Sequence, residues 1–294
     1  MKKQAYLLTA YKDYEAVSEL ASFLCKKDEV FIHVDLKSKG ITDEQIDELN
    51  KLESVEAFRE FPIYWGGYNH VKALLSLMRK ASLDSNISYI HMLTGEDFPL
   101  FSPEELHERF VEDHHIYLDY IEDGDFNDAV KKRYLYYNYF QNKNVKNKWL
   151  WLFQDFTVKL QKMVGVKRTQ LGGFTKIYKG LVYISMPIEA VRDVLTYIDA
   201  HPEYVKDMYK CQLPEEFFFH TLLLSDEFMD GKWKNAIVKQ ELRYMNWERG
   251  DGGSPVYLEM EDFEQLANGK YFFARKFHGK ESKELKNKIK KELW

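Results

Sequence analysis

Four short apolar runs in the first hundred residues alternate with segments whose apolar side chains recur every three or four positions. The runs cover residues 5–10, 30–34, 54–59 and 88–93. Between them, residues 14–25 carry Val17, Leu20, Ala21 and Leu24 on one helical face. Residues 69–81 likewise carry Val71, Leu74, Leu75 and Met78. Residues 43–52 read as a helix opened by Thr42, a suitable N-cap. Strands separated by helices are joined by crossovers rather than hairpins. The expected class is therefore α/β: a mostly parallel central sheet with helices on both faces. Such sheets bind ligands beyond the C-terminal ends of their strands. Here those ends are Thr9-Ala10, Asp35-Leu36-Lys37-Ser38, Tyr64-Trp65-Gly66-Gly67 and Thr94-Gly95-Glu96-Asp97.

The second half is less regular. Residues 179–186 read as a strand, 187–198 as a helix with proline in its first turn, and 213–224 as a further helix. Aromatic-rich segments follow at 242–247 and 271–277, then a charged helix from Lys280. No repeat or long linker interrupts the chain. One domain over residues 1–278 with a basic C-terminal helix over 279–294 is the simplest division.

Composition excludes several classes. Net charge is −5, which argues against a dedicated nucleic-acid binder. Cys25 and Cys211 are the two cysteines, too few for a disulfide framework or a four-thiolate zinc site. The run at 5–10 is too short for a secretory signal, and nothing approaches the ~18 apolar residues of a membrane span. The expected location is the cytoplasm.

Several groups bear chemistry. Asp35 ends a buried strand. Glu215 and Glu216 open a helix, where a carboxylate pair can also merely complement the dipole. Arg275 and Lys276 lie inside Phe272-Phe273-Ala274-Arg275-Lys276-Phe277, next to an apolar wall. Asp123-Gly124-Asp125 has the D-x-D form of a manganese site and equally that of an ordinary loop. Adjacent His114 and His115 are poorly placed to share one ion, and His33 reads as a core histidine.

Six segments, in order, resemble the core 2/I-branching β-1,6-N-acetylglucosaminyltransferases, a family that includes the peptide O-xylosyltransferases. They are Ile32-His33-Val34-Asp35-Leu36-Lys37-Ser38, Trp65-Gly66-Gly67, Leu93-Thr94-Gly95-Glu96-Asp97-Phe98-Pro99-Leu100, Gly180-Leu181-Val182-Tyr183, Leu213-Pro214-Glu215-Glu216-Phe217-Phe218 and Phe273-Ala274-Arg275-Lys276-Phe277. The resemblance spans roughly residues 5–278. It implies a GT-A-like fold and an inverting, metal-independent transfer from a UDP-sugar, commonly UDP-GlcNAc, to a glycan hydroxyl, with no cofactor. By carry-over, Glu216 is the general base. Asp35, with Thr9, contacts the uridine, and Lys276, with Arg275 beside it, faces the diphosphate. On the acceptor side the expectation is Asp119, Glu122 and Arg133, with Trp65 stacking on a sugar ring.

This chain departs from the family pattern in three places. Pro-Glu-Glu replaces Pro-Asp-Glu. The region of the family's second diphosphate arginine, Gly250-Asp251-Gly252-Gly253-Ser254, holds none, so Arg243 or Arg249 must substitute. The scarcity of cysteine and of an anchor resembles a bacterial, cytosolic member acting in surface polysaccharide or glycoconjugate synthesis. Other UDP-sugars (xylose, galactose, glucuronate), a manganese-dependent D-x-D transferase and a non-catalytic glycan-binding protein are the alternatives. Residues 146–168 interleave lysines with Trp149, Trp151, Phe153 and Phe156. Such an interfacial pattern would place the protein on the inner membrane surface beside a lipid-linked acceptor; packing on the sheet is the alternative.

Overall fold

The computed structural model describes residues 2–140, 142–143, 147–249 and 254–294. Its strands are, in chain order, β1 (Lys3–Ala10), β2 (Glu29–Val34), β3 (Val55–Phe58), β4 (Ile87–Thr94), β5 (Asp97–Pro99) and β6 (Ile116–Leu118). They continue with β7 (Ile121–Glu122), β8 (Tyr178–Lys179), β9 (Ser185–Pro187), β10 (Ile237–Lys239), β11 (Arg243–Met245) and β12 (Phe273–Arg275). The helices begin with α1 (Tyr14–Leu24), α2 (Asp43–Leu49), α3 (Asn69–Leu83), α4 (Pro103–Phe110) and α5 (Asp128–Leu135). The rest are α6 (Lys148–Met163), α7 (Ile188–Ala200), α8 (Pro202–Tyr209), α9 (Phe218–Leu224), α10 (Phe263–Asn268) and α11 (Lys283–Glu292).

The main sheet runs β10-β6-β9-β4-β1-β2-β3. Strands β3, β2, β1 and β4 are parallel, and β9 is antiparallel to both β4 and β6. This is the expected α/β class with a mostly parallel central sheet. Almost every side chain of β1 and β2 is buried, because helices cover both faces. One apolar core joins α3, α7 and α9 to one face, and a second joins α1, α2 and α4 to the other. A three-stranded sheet, β11-β12-β5, leans against the first and brings Arg275 opposite Asp97. Leu285 and Ile289 of α11 bury into a third cluster with Phe98 and Phe277. Trp294 stacks on Phe23 at 3.9 Å, and Lys286 and Lys290 both pair with Glu19. The C-terminal helix is thus packed on the protein.

Two expected elements break. The strand expected over 179–186 splits into β8 and β9, and the residues between them border a cavity. A β-carbon on Gly180 would lie 2.1 Å from the Asp119 carbonyl and 2.3 Å from His220, so only glycine permits this close crossing. The helix expected over 213–224 divides into a 3-10 turn, Pro214–Glu216, and α9. Leu213 takes a left-handed φ of 53° there, and its N–H donates to Gly66 O at 3.1 Å. That bond ties the carboxylate turn to the Trp65-Gly66-Gly67 loop. His33 is a core residue: its Nε2 accepts from the Phe61 N–H, and burial lowers its pKa to about 4. Among the described residues, no helix is long and apolar enough to cross a membrane.

Candidate active site

A cavity of about 650 Å³ opens at the C-terminal ends of β1, β2 and β4, where the topology of a parallel sheet places ligands. Thr9 and Asp35 line it from two strand ends, and Trp65, 61% exposed, stands at its rim. Asp35 is buried. Its Oδ1 accepts from the N–H groups of Ile63 at 3.0 Å and Lys37 at 3.1 Å, and its Oδ2 takes the Lys37 ammonium at 2.6 Å. The carboxylate therefore shapes the loops at this strand end as well as facing the cavity.

Two carboxylates in the wall are each held by two cations. Glu216 Oε2 accepts from Arg133 at 2.9 Å and from Lys179 at 3.0 Å. Burial is the larger influence and pushes the Glu216 carboxyl above its ordinary value, against the pull of Lys179 and Arg133. A carboxylate so raised is a stronger base for a sugar hydroxyl than a free one. Across the cavity, Glu96 meets Lys12 at 3.1 Å and Arg275 at 3.0 Å and accepts from the Tyr257 hydroxyl at 3.1 Å. Burial opposes ionisation of Glu96 too, but Arg275 and Lys12 prevail and its pKa is lowered. Arg275 also donates to Thr94 and lies 5.4 Å from the Tyr183 ring. Glu216, Arg275 and Lys12 thus share one cavity: a raised carboxylate in one part of the wall and fixed positive charge in another.

Residues 4–267 match the Core-2/I-Branching enzyme family. The chain belongs to this family. It is a glycosyltransferase, acting with a sugar donor and a glycan acceptor. No curated protein matches the chain. Among solved structures it is remotely similar to the Q189E active-site mutant of LgtC. That likeness has 9% identity and a TM-score of 0.36, and covers 98% of this chain and 94% of that one. It is also similar to HddC from Yersinia pseudotuberculosis, at 10% identity and a TM-score of 0.30, over 65% of this chain and 79% of that one.

Not every expected residue of this branching-family enzyme reaches the cavity. Lys276 hydrogen-bonds Ser254 and lies 5.6 Å from the Tyr257 ring, so Arg275 is the member of the pair that lines the wall. Neither proposed substitute for the second arginine does so. Arg243 is buried, donates to Asp97 at 2.7 Å and lies 4.0 Å from the Tyr183 ring. It supports the wall from behind. Arg249 is exposed and pairs with Glu261 and Asp262. Residues 250–253, and Lys146 of the 146–168 stretch, lie outside the described residues.

Of the residues expected on the acceptor side, Arg133 is the one that touches Glu216. Asp119 is exposed and borders a separate, more open cavity of about 380 Å³ with Trp247 and Glu241. Burial raises the Glu241 carboxyl to about 7 there, against the pull of Arg243. Glu122 is exposed, and its backbone pairs with Tyr178, holding the strand that carries Lys179. Asp123, half-buried, and Asp125, exposed, lie in a 3-10 turn outside the main cavity. Among the described residues no group of three His, Cys, Asp or Glu is placed to hold a metal ion.

Sequence reasoning missed Lys12, Glu96 and Lys179. Lys12 and Glu96 follow strand ends already singled out, so position was their signal. Lys179 had none: it reaches Glu216 only because Gly180 lets its strand pass beside the carboxylate turn, where the Gly180 N–H donates to Glu216 O at 2.9 Å.

Proposed function

We propose that this enzyme transfers GlcNAc from UDP-GlcNAc to a glycan hydroxyl with inversion, forming a β linkage without a divalent metal. The observation that carries the reading is the shared cavity of Glu216, Arg275 and Lys12. The acceptor oxygen attacks the anomeric carbon while Glu216 takes its proton. The bond to the diphosphate oxygen breaks, and its electron pair leaves with UDP. Arg275 and Lys12 meet the charge that develops on the leaving oxygen. Fixed charge is most effective there when water is excluded. Asp35 and Thr9 hold the uridine, and Arg133 and Trp65 face the acceptor.

A lipid-linked glycan of bacterial surface polysaccharide, met at the cytoplasmic membrane face, is the proposed acceptor. UDP release with and without short glycan acceptors tests the reaction, and a thermal-shift screen of UDP-sugars identifies the donor. Transfer is expected to survive EDTA. Loss on chelation and recovery with manganese would instead assign the chemistry to Asp123 and Asp125. Stabilisation by UDP-xylose, UDP-galactose or UDP-glucuronate in place of UDP-GlcNAc would change the donor but keep the mechanism.

A further inference from the structure

Helix α6 is built inside out. Gln161, its one buried residue, donates to Tyr137 O at 2.9 Å and accepts from Tyr137 N at 2.8 Å. Gln154 and Thr157 are partly covered on the same side. Trp149, Leu152, Phe153, Phe156, Leu160 and Met163 are all exposed, Trp149 by 79% and Met163 by 77%. Their spacing of one, three or four residues draws them into a single stripe along the helix. Soluble proteins seldom leave so long an apolar strip in water without something to cover it.

The charge around the stripe indicates the cover. Lys143, Lys148, Lys159, Lys162 and Lys167 are exposed, and Asp155 is the one acid among the described residues of 142–168. This lysine cluster stands on a chain whose net charge is −5. A second copy is a poor occupant, because a two-fold pairing of antiparallel helices sets the same lysine-bearing edges together. At sixteen residues, or about 24 Å, the helix is also too short to span a bilayer.

We propose that α6 lies in the plane of a membrane that contains anionic lipid, its apolar stripe among the acyl chains and its lysines at the headgroups. Trp149 sits at the depth indole prefers. The surface is independent of the transfer chemistry. It is joined to the site through Tyr137, which Gln161 holds two residues beyond the end of α5, the helix of Arg133. A membrane-bound glycan would therefore arrive on the side where Arg133 holds Glu216.

The test is co-sedimentation of the full chain with phosphatidylcholine vesicles, with and without phosphatidylglycerol. Binding to the anionic vesicles, a blue shift of tryptophan emission and release by salt are expected. Trp149→Ser with Phe156→Ser should weaken binding roughly a hundredfold through lost apolar burial. Lys159→Glu or Lys162→Glu should weaken it about fivefold or more each. UDP release with a water-soluble acceptor should be unchanged in every variant, which separates this surface from the catalytic reading. Salt release of the unaltered protein provides the charge test even if a variant misfolds. Failure to bind either vesicle overturns the proposal. So does self-association that the same apolar substitutions abolish, or binding to neutral vesicles that salt leaves intact.

Discussion

Glu96 and Glu216 lie in one cavity and each is clasped by two cations, yet their acidities move in opposite directions. The difference lies in how the clasp is made. Glu96 spends both oxygens: Oε1 takes Lys12 and Tyr257, and Oε2 takes Arg275. Glu216 receives both cations on Oε2, and Glu215 beside it adds a like charge. Burial opposes ionisation in both, and only at Glu96 do the partners outweigh it. The lesson is that counting cations does not assign a role. Glu96 is a fixed counter-ion that holds Lys12 and Arg275 in place, whereas Glu216 keeps the raised carboxyl that the proposed proton transfer calls for.

The sharpest test of that contrast is the pair of isosteric changes. Glu216→Gln should lower kcat about 100–10,000-fold while UDP still binds and the protein remains as stable, since the loss is of proton transfer. Retained transfer would remove Glu216 from the mechanism. Glu96→Gln should instead cost stability, roughly 3 kcal/mol in denaturant unfolding, because Lys12 and Arg275 are left facing an uncharged amide. Equal loss of turnover in both variants, with no change in stability, would erase the distinction.

The pH dependence sharpens it further. Glu96 has a lowered pKa, so its contribution to stability is present above the ordinary carboxylate range and lost as pH falls through the depressed value. Glu96→Gln should flatten that acid-side decline. At Glu216, Lys179→Met removes a cation that favours the ionised form. The acidic limb of the kcat/KM profile should then move to higher pH, and an unmoved limb would mean that another group controls it. The smallest effect is expected from Tyr257→Phe. Losing one hydroxyl on Glu96 should cost about 1 kcal/mol of stability and leave the Glu216 limb where it was.

Much of the site was legible because it sits at places that local pattern defines. Asp35, Thr9 and Glu96 follow apolar runs that end as strands, and a parallel sheet delivers such ends to one edge. Glu216 and Arg275 stood out through the family motifs. What stayed hidden depends on residues far apart in the chain. Arg133 lies 83 positions from Glu216, and nothing near it indicates that it clasps that oxygen. Asp119, just past β6, and Arg243, on β11 of the three-stranded sheet, border the second cavity instead. Helices α3 and α6 make the same point: both carry a clear apolar stripe, buried in α3 and bare in α6.

By itself, then, the order of apolar runs and helical stripes determined the parallel sheet and the edge where ligands gather. Those follow from periodicity and backbone hydrogen bonding, which act over a few residues. The tertiary structure alone decided which carboxylate is raised and which lowered, which of two adjacent cations lines the cavity, and which stripe stays uncovered. Each of these depends on how far water is excluded and on which charges approach from distant parts of the chain.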